Sequence, residues 1–219
     1  MTHPTTRFAI LLGGDLVVTP RLLGQVEGAR VIAADSGMRH AGALGVAPEL
    51  WTGDFDSVDE AMRAEHSGTP VEEFPRDKDK TDGEIAVQAA LERGARELLL
   101  VGAFGGARAD HAFLHLTAAM RLAENGVGCV LTSGVQEGVP LLVGEDRNFD
   151  YDDGTLFSVL PFSELSGLTI SGAKWPLTDH HVPFGSSLTL SNEVRGTLSA
   201  RLASGRALLV AHPVSSFSM

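Results

Sequence analysis

Residues 8–14 (FAILLGG), 29–35 (ARVIAAD), 49–54 (ELWTGD), 71–75 (VEEFP), 97–104 (ELLLVGAF) and 128–134 (GCVLTSG) are short β-rich runs, most of them closed by glycine, proline or aspartate. They predict strands. Between them apolar residues return at helical spacing. Phe113, Leu116, Thr117 and Met120, for example, fall at i, i+3, i+4 and i+7. Asn125-Gly126 then ends that helix before the next strand. Strands alternating with helices over short links imply a mostly parallel sheet covered on both faces.

Beyond about residue 145 the helical spacing stops. Residues 155–162 (TLFSVLPF), 167–173 (GLTISGA), 186–194 (SSLTLSNEV), 196–203 (GTLSARLA) and 206–212 (RALLVAH) all read as strands, with ASGR at 203–206 as a hairpin turn. Leu198, Ala200 and Leu202 alternate with Thr197, Ser199 and Arg201, as in a half-buried antiparallel strand. The expected architecture is therefore an α/β N-terminal domain with a mostly parallel sheet over 1–143. An all-β, sandwich-like C-terminal domain follows over 144–219. Residues 143–154 (VGEDRNFDYDDG) are read as the link.

This map gives the aspartates a common place. Asp35, the pair Asp54 and Asp56, the pair Asp79 and Asp82, and Asp110 each lie just past a predicted strand, where open α/β sheets bind ligands. Thr81 and Glu84 form a capping box, which sets Asp82 in the first turn of a helix. The cap accounts for Thr81 and Glu84, and leaves Asp77 and Asp79 without a structural reason. Carboxylates crowded into one cleft repel and call for a cation, and hard oxygen donors suit Mg2+ with substrate phosphates. Beside them, GGARADH (105–111) offers glycines for close backbone approach. Arg108 can clamp a phosphate, and His111 either donates to a phosphate oxygen or makes a structural contact. Neither GxxxxGK[ST] nor GxGxxG occurs, and Gly13–Asp15 reads as a plain turn.

Composition narrows the partners. A formal net charge of −11 argues against nucleic acid and accords with a cationic substrate or bound metal. The single cysteine, Cys129, cannot form an internal disulfide, which fits a reducing, cytoplasmic setting. The first apolar run turns polar too soon for a signal peptide, and no run approaches the roughly 20 residues of a membrane span.

In order along the chain, ADSG (34–37), GDFDS (53–57), KDKTDGEIAV (78–87) and RADH (108–111) resemble the acidic blocks of the thiamin pyrophosphokinase family. SGAKWPL (171–177) and SLTLSNE (187–193) resemble that family's β-rich thiamin-binding domain. The resemblance implies transfer of a pyrophosphoryl group from ATP to the hydroxyl of thiamin, with release of AMP. It implies Asp54, Asp56 and Asp82 as holders of Mg2+ and the triphosphate, with Asp79 and Asp110 alongside. Arg108 and Lys80 would meet phosphate charge, and Asp35 and Ser36 belong to a substrate-binding block. Ser191 and Asn192 resemble residues near the thiamin pyrimidine, and the family implies a homodimer with the site between subunits. Two positions depart from the family pattern: Ser36, where a second glycine is common, and His115, where asparagine is common. Trp175 could stack on a thiamin ring, but it and Trp51 are both read as core aromatics. Asp82 and Asp110 both stand as candidates for the base. The rival readings are a pyrophosphokinase for another alcohol such as a pterin, a non-catalytic thiamin or nucleotide sensor, and a phosphatase using DFDSV as a paired-aspartate loop.

Overall fold

Six strands, all but the exposed edge strand apolar inside, form the parallel part of the sheet in a computed structural model that describes residues 6–73 and 80–213. They are β1 (Arg7–Leu11), β2 (Arg30–Ala34), β3 (Leu50–Gly53), β4 (Val71–Glu73), β5 (Glu97–Val101) and β6 (Gly128–Thr132). Their spatial order is β6-β5-β1-β2-β3-β4, all parallel. Successive residues of β1 feed opposite faces. Phe8 and Ile10 enter one core and Ala9 and Leu11 the other, so the strand reads as one continuous apolar run. The crossovers carry α1 (Pro20–Val26), a 3-10 turn over Asp35–His40 leading into α2 (Ala41–Leu44), α3 (Glu60–Glu65), α4 (Asp82–Glu92) and α5 (Ala109–Glu124). The longest helices, α4 and α5, share one face of the sheet, whereas α1 and the Trp51 core occupy the other. No helix among the described residues is long and apolar enough to cross a membrane.

The chain builds outward from β1 through β2, β3 and β4, then returns to place β5 on β1's other side. The β1–β5 junction is thus a topological switch point. The loops leaving β1 and β5 meet there closely enough that a side chain at Gly14 would strike the carbonyls of Gly102 and Phe104. A Cβ at Gly37 would likewise collide with the Leu11 carbonyl. Gly37→Ala should therefore push the 3-10 turn off β1 and cost about 1–3 kcal/mol. At roughly 2–4 °C per kcal/mol for this chain length, a thermal melt will show a drop of several degrees.

The sheet continues past residue 143. β7 (Glu137–Leu141), unread in the sequence, turns back antiparallel on β6 and passes the sheet to the C-terminal strands. These are β8 (Asp146–Phe149), β9 (Leu156–Pro161), β10 (Leu165–Ala173), β11 (Leu177–Val182), β12 (Asn192–Arg201) and β13 (Ala207–His212). β13 pairs with β7 and β9, whereas β12 pairs with β8, β10 and, through Asn192 and Glu193 alone, β9. Phe157, Val159 and Leu209 from one set meet Leu168, Ile170, Val194 and Leu198 from the other in a single buried core. The fold is thus a parallel α/β part joined to an antiparallel, strand-rich part.

Four local expectations change. ASGR is not a hairpin turn, because β9 lies between β12 and β13. The supposed link holds a strand, β8, paired with β12. In SSLTLSNEV the strand starts only at Asn192, and Leu188 and Leu190 are exposed. On α5 the core side is Ala119, Met120, Leu122 and Ala123, whereas Phe113 is exposed and tilts against Phe162.

Candidate functional site

β2 and β3 are neighbours, so the turns that follow them share one corner of the sheet's carboxyl edge. Asp35 leaves β2 with φ 45°, a left-handed conformation that aspartate tolerates better than most residues. Gly53 closes β3, and a Cβ there would stand only 3.1 Å from the Asp35 Cβ, so glycine lets the two turns approach. The buried Trp51 indole donates to the Asp35 carbonyl at 2.8 Å and fixes that turn from below.

Phe55 separates the other two carboxylates. It adopts φ 60°, rare for a bulky residue, and is 5% exposed, edge-on to Trp51 at 4.9 Å with the Arg63 guanidinium over its ring. Burial of that ring supports the strained backbone, which places Asp54 and Asp56 together outside it. The Asp56 amide donates to Asp54 Oδ1 at 3.1 Å. Asp35, Asp54 and Asp56 can each offer an oxygen, all within 4.8 Å of one another. The Ser57 hydroxyl donates to Asp35 Oδ2, but Asp35 Oδ1 is buried with no partner. A buried carboxylate oxygen without a donor beside two further carboxylates is costly. An oxygen-seeking divalent cation answers both features, and Mg2+ fits this donor set.

The remaining acidic positions are placed as follows. Asp82 is the first residue of α4, whose capping box is fully formed: Thr81 Oγ1 accepts from Glu84 N–H at 3.3 Å, and Glu84 Oε2 accepts from Thr81 N–H at 3.1 Å. α4 runs back against β1, β2 and β3, which brings its start to the same sheet edge, although Asp82 is not in the group of three. Asp77 and Asp79 lie outside the described residues. Lys80 is exposed immediately before the cap. Arg108 and Asp110, at the start of α5, form an exposed two-pronged pair at 3.0 and 2.7 Å. That hydrogen-bonded guanidinium holds the Asp110 carboxyl well below the usual carboxylate range. His111 is half-buried one residue further on.

Two contributors, Arg39 and His40, carried no signal in the sequence. Arg39 donates to the carbonyls of Gly13 and Gly14, and His40 Nε2 donates to Gly14 O at 3.0 Å. Asp15 accepts from Gly106 N–H at 2.8 Å, so the GGD turn is one lip of the switch-point crevice, tied to the other. Ser36 packs against Gly13 in the same corner. His115 donates from Nδ1 to Ala103 O at 3.1 Å, and burial pushes its pKa down. It borders a groove of about 330 Å³ between α4 and α5, floored by Leu12 and Leu100, with Lys80 at its rim.

At the far end of the molecule Ser191 has φ 59° and donates its amide to Ser158 Oγ at 3.0 Å. Asn192 is 6% exposed and spends its amide on the main chain of Trp175. Trp51 is a core aromatic as expected, but Trp175 is not: it follows the end of β10 and is 55% exposed. Asn192 and Asp35 are seven strands apart in the sheet order, from β12 to β2. At about 4.8 Å per strand this is roughly 34 Å along the sheet.

Comparison with known proteins places both halves of this arrangement. Residues 26–131 match the family described as thiamin pyrophosphokinase, catalytic domain, and residues 146–206 match thiamin pyrophosphokinase, vitamin B1 binding domain. The chain is 30% identical over 198 residues to a thiamine pyrophosphokinase of Bacillus subtilis, covering 87% of this chain and 92% of that one. The crystal structure of thiamine pyrophosphokinase from Bacillus subtilis superposes with a TM-score of 0.83 at 25% identity, covering 95% of this chain and 99% of that one. That from Geobacillus thermodenitrificans gives 0.79 at 28% identity, covering 96% and 99%.

Proposed function

The chain belongs to the thiamin pyrophosphokinase family, and from that premise we propose how its own residues transfer a pyrophosphoryl group from ATP to thiamin. The observation that carries the assignment of the site is the trio Asp35, Asp54 and Asp56, gathered at adjacent strand ends inside the catalytic-domain match. These three would hold Mg2+, which when bound neutralises triphosphate charge and orients the phosphates. Ser57 and the Trp51 indole keep Asp35 in register for that task.

The thiamin hydroxyl oxygen attacks the β-phosphorus of ATP in line. An O–P bond forms, the bond from the β-phosphorus to the bridging oxygen of the α-phosphate breaks, and AMP leaves with that oxygen. The hydroxyl proton passes to a carboxylate. Asp82 suits this role better than Asp110, because a carboxylate clamped by Arg108 is a weak base. Arg108 spends Nε and Nη2 on Asp110, and its Nη1 group remains to meet a phosphate oxygen. Asp79, Lys80 and His111 belong to the same phosphate-binding set, and Ser36 to the floor under it. The reaction demands positioning and charge neutralisation rather than a covalent enzyme intermediate. Incubation with Mg-ATP and thiamin should yield AMP and thiamin diphosphate in equal amounts. ADP or thiamin monophosphate as the product would contradict pyrophosphoryl transfer.

Thiamin is held at the β12 end, by the segment around Ser191, Asn192 and Trp175, within the vitamin B1 binding match. Seven strand spacings lie between the two ends, about 34 Å of path along the sheet, whereas reactants must meet within about 3.5 Å. That path length supports a homodimer as the working unit, with the carboxylate corner of one chain facing the thiamin-holding end of the other. A reducing cytoplasm suits the lone, buried Cys129, whose thiol burial pushes up to about 12.

A further inference from the structure

β7 opens on a charged residue, although all five of its positions are buried. Glu137 is 2% exposed and pairs with Thr132, the last residue of β6, so it sits at the carboxyl edge of the sheet. A carboxylate taken out of water is costly unless its lone pairs are met. Among the described residues four donors converge on it. Arg21 gives Nε to Oε1 at 2.7 Å and Nη2 to Oε2 at 3.2 Å. Gln25 Nε2 donates to Oε1 at 2.7 Å, and the Tyr151 hydroxyl donates to Oε2 at 3.1 Å. Each carboxylate oxygen thus accepts two bonds.

These donors come from both parts of the chain. Arg21 and Gln25 stand one turn apart on α1, in the parallel part. Tyr151 lies between β8 and β9, in the antiparallel part. Its ring stacks on Phe149 at 6.0 Å, and the Arg21 guanidinium lies 5.1 Å from its centroid. Burial pushes the Tyr151 phenol above its usual range, so it stays a donor. One carboxylate therefore joins α1, the strand at the junction and the second part of the chain.

α1 in turn carries the segment that leads back to the crevice. Thr19 Oγ1 accepts from Leu22 N–H at 3.2 Å and donates to Gly134 O at 3.3 Å, and Val17 N–H donates to Ser133 O at 2.9 Å. A Cβ at Gly134 would stand 1.7 Å from the Val17 carbonyl oxygen, so this segment lies directly on the β6–β7 turn. Two residues before Val17, Asp15 ties the lip to Gly106. A shift of α1 on β7 is thus passed straight to the lip.

We propose that Glu137 is a positioning residue for pyrophosphoryl transfer, a buried joint that fixes the lip of the switch-point crevice relative to the strand-rich part that holds thiamin. It acts through α1 and Tyr151 rather than on a substrate. In-line transfer is steep in geometry, and a misplacement of about 1 Å can cost about a hundredfold in rate. The inference rests on the reading that ATP lies at the carboxyl edge of the parallel strands and thiamin at the β12 end.

The test compares Glu137→Gln, Arg21→Met and Tyr151→Phe with the full-length wild type, well below the Tm of each. It reads kcat for AMP release, and the Kd of Mg-ATP and of thiamin, each titrated alone. Glu137→Gln sets an amide N–H against a prong of Arg21, and Arg21→Met leaves the carboxylate without its countercharge. Each should lower kcat about tenfold and leave both Kd values within about twofold of wild type. Tyr151→Phe removes one hydroxyl and keeps the ring on Phe149, so its Tm should fall by only a few degrees while kcat falls about threefold. That variant carries the test should the charge variants not fold. A merely structural role would lower Tm and leave the kcat of the folded chains intact, and that result would overturn the positioning role. So would a loss of kcat matched by a weaker Kd for one substrate, which would place Glu137 at one subsite. Tyr151→Phe with wild-type kcat would overturn the tie to the thiamin-holding part. Wild-type chain that releases no AMP would instead sink the reading of the reaction on which the role depends.

Discussion

Asp35→Asn should lower kcat at saturating Mg2+ by at least about a hundredfold, the scale set by losing several kcal/mol of charge stabilisation at a metal ligand. Asparagine is the substitution best suited to isolate charge here. It tolerates the left-handed backbone at φ 45° and keeps an oxygen for the Ser57 hydroxyl. Asp54→Asn should behave alike, since its side-chain oxygen can still accept the Asp56 amide. Stability should move the other way. With one of three mutually repelling carboxylates neutralised, the variants should melt at or above the wild-type temperature when divalent cations are removed by chelation. Added Mg2+ should raise the wild-type Tm by mass action and raise that of the variants much less. A variant that turns over near the wild-type rate at saturating Mg2+ would remove its residue from the site. A variant that loses both activity and several degrees of Tm would point to a structural role.

The contrast between Asp35 and Asp82 shows what could be read from sequence and what could not. Local chemistry was legible. The Thr81–Glu84 box forms as its spacing demands, and the acidic residues after β2, β3 and α4's cap all reach the carboxyl edge of the sheet. Which carboxylates share a corner depends on strand order, and order is a long-range property with no local signature. The β2–β3 neighbourhood puts Asp35 beside Asp54 and Asp56, whereas the start of α4 stands outside that trio. The same limit explains ASGR. Its composition is that of a tight turn, but β9 pairs with β13 over six residues and occupies the place a hairpin partner would take.

The C-terminal part misled for a different reason. Alternating leucines in SSLTLSNE imitate a half-buried strand, yet the segment is pinned as turns by Thr189 Oγ1 on Val159 O at 2.7 Å and by Ser191 N–H on Ser158. Trp175 looked like core because tryptophan is usually buried. Pro176 immediately after it and a strand that ends at Ala173 were the available signs that the chain turns outward there. The clamp by Asn192 pairs residues 17 apart in sequence, and nothing local announces it.

The claim that one chain's carboxylates act on thiamin held by another is tested most directly by mixing defective chains. One chain carries Asp35→Asn, and the other carries Asn192→Ala with Trp175→Ala; thiamin is kept well below KM so that both parents are slow. In a two-fold dimer with shared sites, every mixed dimer has one site with both lesions and one with neither. Random exchange makes about half the dimers mixed, so about a quarter of all sites become intact. Activity should therefore climb to about a quarter of the wild-type value as subunits exchange, which differently tagged chains will report by co-purification. Exchange demonstrated in this way, with activity fixed at the mean of the two parents, would contradict the shared site.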